Sequence, residues 1–146
     1  MKRCLLIPLL CITPAFAQAD VVVRDAWARA SILVDRPGAA YLSLQSDSAD
    51  RLLSVNTPAA VKAVLHASET DANGITRMIH LDVLELPAGE VVTLEPGGIH
   101  LMLMGLHEKL QEGSAFDVDL NFEAAGTITV TVPVLRLAAT GPESEN

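Results

Sequence analysis

Residues 116–134 read Phe-Asp-Val-Asp-Leu-Asn-Phe-Glu-Ala-Ala-Gly-Thr-Ile-Thr-Val-Thr-Val-Pro-Val, and this stretch decides the fold. Phe116, Val118, Leu120 and Phe122 alternate with Asp117, Asp119 and Asn121. Further on, Ile128, Val130, Val132 and Val134 alternate with Thr127, Thr129 and Thr131. A period of two is the repeat of a strand that buries one face. Two such runs around Ala124-Ala125-Gly126 predict a β-hairpin.

Working outward, turn signals recur at short intervals: Pro37-Gly38, Ser46-Asp47-Ser48, Asp71-Ala72-Asn73-Gly74, Pro87-Ala88-Gly89, Pro96-Gly97-Gly98 and Glu112-Gly113-Ser114. Weaker strand patterns lie between them, over 21–23, 40–45, 52–56, 61–68, 77–83, 91–94 and 100–103. Seven to nine short strands and no convincing helix predict an all-β, antiparallel sandwich or barrel. No linker, repeat or low-complexity segment divides residues 18–137, which are expected to form one domain. The polar segment 138–146 is expected to be a frayed tail.

The first residues have the pattern of an export signal. Met1-Lys2-Arg3 is basic, residues 4–12 are apolar but too few to span a bilayer, and Ala15-Phe16-Ala17 offers a small-x-small cleavage site. Residues 1–17 are therefore read as a cleaved leader, which implies a periplasmic location. The residues before Cys4 and Cys11 are not those of a lipid-attachment site. Both cysteines leave with the leader, so the mature chain has neither a disulfide nor a thiolate ligand. That excludes a blue-copper electron carrier, an iron–sulfur centre and Cys-type zinc. The whole chain carries 10 Lys+Arg against 18 Asp+Glu, net −8; losing Lys2 and Arg3 takes this to −10. Such a surface disfavours nucleic acid and anionic membrane as partners, and no remaining stretch is long and apolar enough to insert.

The chemistry-bearing residues are unevenly placed. Apart from Met1, the methionines are Met78, Met102 and Met104, and two of them share the run His100-Leu101-Met102-Leu103-Met104. Thioether and imidazole suit a soft cuprous ion where thiolate is missing. An extended run puts His100, Met102 and Met104 on one face while Leu101 and Leu103 enter the core. Upstream, His66 and Met78 flank the 71–74 turn, whose hairpin brings them onto adjacent strands. Taken singly, each of these residues is an ordinary surface histidine or core methionine. As two His/Met pairs in a cysteine-free mature chain, they form a candidate four-ligand copper site.

The spacing His66-x11-Met78-x21-His100-x-Met102 resembles the copper-binding motif of the periplasmic PCu(A)C copper chaperones. The resemblance extends over nearly the whole mature chain. It takes in Asp25-Ala26-Trp27-Ala28-Arg29, Gly38-Ala39-Ala40-Tyr41-Leu42, Leu86-Pro87-Ala88-Gly89, residues 94–106 and Val132-Pro133-Val134. It implies a cupredoxin-like β-sandwich that binds one Cu(I) per chain through His66, Met78, His100 and Met102. It also implies copper delivery to the dinuclear copper centre of cytochrome c oxidase, with its copper subunit and a Sco-type thiol protein as partners. The His/Met-rich C-terminal extension of some members is missing from 138–146, which puts a second, Cu(II) site in doubt. His80, two residues after Met78, is open as a ligand or a rim residue; Met104 is expected in the core or pocket wall, and His107 in a loop. Two alternatives to a chaperone are a copper-dependent redox enzyme and a metal-free β-sandwich interaction module. No acid–base pair stands out beside the ligands to support catalysis.

Overall fold

The hairpin of residues 116–134 is present, as strands β9 (Ala115–Phe122) and β10 (Thr127–Leu135). Leu120 stands opposite Ile128 and Val118 opposite Val130, so the apolar halves of both alternations share the inner face. The turn closes with the Phe122 N–H donating to the Gly126 carbonyl at 2.8 Å. Gly126 adopts φ 78°, a left-handed conformation that glycine reaches without a Cβ penalty. On the solvent face the Thr127, Thr129 and Thr131 hydroxyls donate to Asn121, Asp119 and Asp117 at 2.7, 2.6 and 2.7 Å. The polar halves thus pair across the strands as well.

The computed structural model describes residues 19–142 and forms eight further strands: β1 (Val21–Arg29), β2 (Gly38–Ser46), β3 (Asp50–Asn56), β4 (Ala60–Thr70), β5 (Thr76–Leu81), β6 (Leu84–Leu86), β7 (Val91–Leu94) and β8 (Ile99–Leu106). There is no helix among the described residues, and the leader read over 1–17 lies outside them. The strands run in the order β4-β8-β2-β1-β10-β9-β3, and β3 returns to β4 through Val55 opposite Ala63. Seven strands therefore close into one barrel-like sheet, with β5 added beyond β4, β6 beyond β3 and β7 against β2.

The all-β expectation holds, and the closed sheet differs in detail from the antiparallel sandwich that the family resemblance implied. The β3–β4 contact and the β1–β10 pair join what would be two separate sheets. The β1–β10 pair is parallel, with Ala28 opposite Val134, so the sheet is not wholly antiparallel. The tenth strand, β6, escaped the sequence pattern because three residues are too few to show a period.

Leu42, Leu44, Leu52, Leu101, Leu103, Val118, Leu120 and Val132 are fully enclosed at the centre of the barrel. A smaller cluster on the outside joins Trp27, Tyr41 and Ala139. The Trp27 and Tyr41 rings lie 4.5 Å apart, and the Arg29 guanidinium sits 5.8 and 5.7 Å from them. Arg29 Nε donates to the Ala139 carbonyl at 2.8 Å. The segment expected to fray from residue 138 therefore packs on the barrel at Ala139, tied by a cation held over two aromatic faces.

Ser46, at the end of β2, is fully buried and its Oγ has no hydrogen-bond partner among the described residues. A buried hydroxyl without a partner keeps its desolvation cost. Ser46→Ala is expected to leave stability unchanged or raise it by about 1 kcal/mol. Denaturant midpoints of the two proteins check this; a clear loss would mean that the hydroxyl has a partner.

Candidate metal centre

Three adjacent strands, β5, β4 and β8, carry the site. The 71–74 turn folds β5 back on β4: the Gly74 N–H donates to the Asp71 carbonyl at 2.9 Å, and Asp71 Oδ1 accepts from Asn73 and Ile75. This is an Asx-type turn that the Asp-x-Asn-Gly sequence favours. Thr70 then faces Thr76, Ser68 faces Met78, and His66 faces His80. On the other side of β4, His66 faces His100 and Val64 faces Met102.

The register produces one rung of three imidazoles, His80–His66–His100, each on its own strand. The His66 ring centre lies 5.6 Å from that of His80 and 6.1 Å from that of His100, both edge-on. Met102 stands on the neighbouring rung of β8, next to Val64 on one side and Ala39 of β2 on the other. Met78 occupies the rung on the other side of His66, at the turn end of β5, and is 60% exposed. All of these side chains lie on the outer face, because Leu65, Leu101 and Leu103 between them point into the core.

The structure thus gathers His66, His100 and Met102 closely, and holds Met78 one rung further out. His80 is the nearer neighbour of His66, a placement that counting along the sequence could not separate from that of Met78. Met104, expected in the core or pocket wall, is 41% exposed opposite Lys62 on the outer face. An odd number of steps from the inward-pointing Leu103 turns it outward. His107 is exposed beyond the end of β8, in the loop expected for it.

Two ring nitrogens show how the site could receive a cation. His100 is only 6% exposed, and its Nδ1 is 3.1 Å from the Gly98 carbonyl. A carbonyl only accepts, so Nδ1 carries the proton and Nε2 keeps the lone pair in the neutral ring. The preceding tight turn presents that carbonyl: the Gly98 N–H donates to Glu95, and Gly97 has φ 84°. His66 Nδ1 is buried without a hydrogen-bond partner among the described residues, a cost that a coordinated cation would remove. Among the described residues no group of three or more His, Cys, Asp or Glu side chains is placed to hold a metal ion. A metal on this face has to draw on thioether sulfur or on movement of a ring, and sulfur favours a soft ion.

Burial holds the His66 imidazole below the usual histidine pKa, and His80, His100 and Lys62 lower it further. The ring is therefore neutral at pH 7, as a metal ligand must be. As pH falls through about 6.5 the unfolded chain takes up a proton that the folded chain does not, so His66 then subtracts stability. That loss levels off below the folded pKa. Denaturant unfolding from pH 8 to 5 is expected to show this falling component, and His66→Gln to remove it. An unchanged slope in the variant would refute the assignment to His66.

The comparisons with known proteins agree with this architecture. A family model, LpqE-like, a family of predicted lipoproteins, matches residues 21–134. Predicted lipoprotein Lxx21020 of Leifsonia xyli subsp. xyli (strain CTCB07) is 32% identical over 124 residues, covering 84% of this chain and 74% of that protein. Among solved structures, the apo PCuAC domain of PmoF2 aligns with a TM-score of 0.67 at 24% identity, over 86% of this chain and 97% of that domain. At that identity the likeness speaks for the fold. The solution structure of Cu(I)-DR1885 from Deinococcus radiodurans aligns with a TM-score of 0.59 at 30% identity, over 77% of this chain and 78% of that one. The family match runs from the first strand to the last, and the structural neighbours are PCuAC domains, as the sequence resemblance implied: the chain belongs to the LpqE-like family and has the PCuAC fold.

Proposed function

We propose that this protein is an exported, non-enzymatic Cu(I) metallochaperone that carries one cuprous ion per chain on His66, Met78, His100 and Met102. The observation that carries the reading is the β4–β8 register, which sets His66 beside His100 with Met102 on the next rung, one ring nitrogen directed by Gly98 and another without a partner. DR1885, a solved relative 30% identical, is named as a Cu(I) form, which supports the choice of metal. The lipoprotein names of the relatives support export to the cell envelope, in line with the leader read over 1–17.

Two thioethers and two neutral imidazoles leave the charge of the ion uncompensated and favour Cu(I) over Cu(II) or Zn(II). No thiolate has to be displaced, so an acceptor offering cysteine sulfur can take the ion by stepwise ligand exchange. Met78, the most exposed of the four, is the ligand placed to be exchanged first. The proposed recipient is the dinuclear copper centre of cytochrome c oxidase, together with a Sco-type thiol protein. This destination rests on the family resemblance alone.

The test is a Cu(I) titration against a chromophoric chelator, followed by transfer to a dithiol acceptor. One equivalent bound, a weaker hold in Met102→Leu and transfer much faster than global unfolding would support the proposal. Affinity unchanged in Met102→Leu, or transfer only as fast as unfolding, would overturn it.

A further inference from the structure

We propose that His80, with Asp82 beside its ring, is itself a ligand of the copper cargo in this chain. The inference rests on the copper reading above and deepens it. Three placements carry it. His80 is directly opposite His66 in the β4–β5 register, while Met78 is opposite Ser68, one rung removed from the His66–His100 pair. The His80 ring is 5.6 Å from the His66 ring, closer than His100 is to His66. Its Nε2 lies 3.3 Å from Asp82 Oδ1. A carboxylate beside one imidazole nitrogen favours the tautomer that leaves the other nitrogen as the lone-pair donor.

The imidazoles stand in a row and not yet converged on one point. The His80 side chain is free to turn toward the other two, being 49% exposed and on a strand whose outer edge has no neighbour among the described residues. Met78 keeps its place as the ligand exchanged first, and His80 joins the site from the same strand. A third imidazole makes the ligand set harder, so the protein should tolerate Cu(II) better than a site with two imidazoles would.

The decisive measurement is the two-bond proton–nitrogen correlation spectrum of the histidine rings, recorded on 15N-labelled protein before and after one equivalent of Cu(I). Movement of one ring nitrogen in each of His66, His80 and His100, together with an affinity lowered tenfold or more in His80→Gln, is the expected result. Asp82→Asn should shift the His80 tautomer balance in the apo protein and weaken binding by a smaller factor. If His66 and His100 move while both His80 nitrogens stay in place, the inference fails and the chaperone proposal stands. If no histidine moves, the chaperone proposal itself fails.

Discussion

In competition with a Cu(I) chelator, His100→Ala is expected to lose more than about 100-fold in affinity, because removing even a supporting group outside the coordination shell costs roughly 10–100-fold. His100 combines features that no other candidate ligand has together. It is nearly buried, its Nδ1–H is fixed on Gly98, and it stands between His66 and the Met102 rung. A ring fixed before the ion arrives loses little freedom on binding, so its loss should cost more than that of exposed Met78. The fold should survive. The hydrogen bond to Gly98 is worth about 1 kcal/mol, and the strand ladder around it is backbone. Circular dichroism and a thermal melt close to those of the parent would show that the loss is local. Retained affinity in a folded His100→Ala protein would remove the site from this face.

Asp50→Ala should have the largest effect on stability. The Asp50 carboxylate is buried and accepts three backbone N–H groups: Arg51 at 2.7 Å and Ala124 at 2.8 Å on Oδ1, and Ala125 at 3.0 Å on Oδ2. Two of these belong to the turn that closes the β9–β10 hairpin, and the third to β3, so one side chain joins a hairpin tip to its neighbouring strand. Hydrogen bonds to a charged group contribute about 1.5–3 kcal/mol each, and the bonds here share one carboxylate and do not add fully. A loss of about 3 kcal/mol, on the order of 10 °C in melting temperature, is expected. Asp50→Asn keeps an acceptor but turns its amide group toward a backbone donor, so it should fall between. A melt unchanged in Asp50→Ala would mean that solvent replaces the carboxylate. Copper affinity should be untouched, since Asp50 lies on β3 and the site on β5, β4 and β8.

How much of this was legible beforehand differs between elements. The β9–β10 hairpin could be read to within a residue at its ends, because a sustained period of two with one apolar face marks each strand. Leu101 and Leu103 could be placed in the core for the same reason, and with them the outward face of His100 and Met102. Met104 was expected in the core or the pocket wall; its exposure excludes the core, as its parity with outward-facing Met102 already indicated. The buried Ala139 lay hidden in a polar segment, because what holds it is Arg29 from 110 residues away.

By itself the sequence determined an all-β chain and offered a candidate set of histidine and methionine ligands, on which the soft-ion proposal rests. These follow from local period, residue type and spacing, which need no knowledge of what packs where. Tertiary structure alone decided that the strands close into a barrel and that β1 meets β10 in parallel. It also decided that the rung opposite His66 belongs to His80 and not to Met78. Pairing between strands is a long-range choice, made by burial over the whole barrel and by the geometry of the turn at 71–74. Two residues apart on one strand, Met78 and His80 look equivalent until the strand across from them is known.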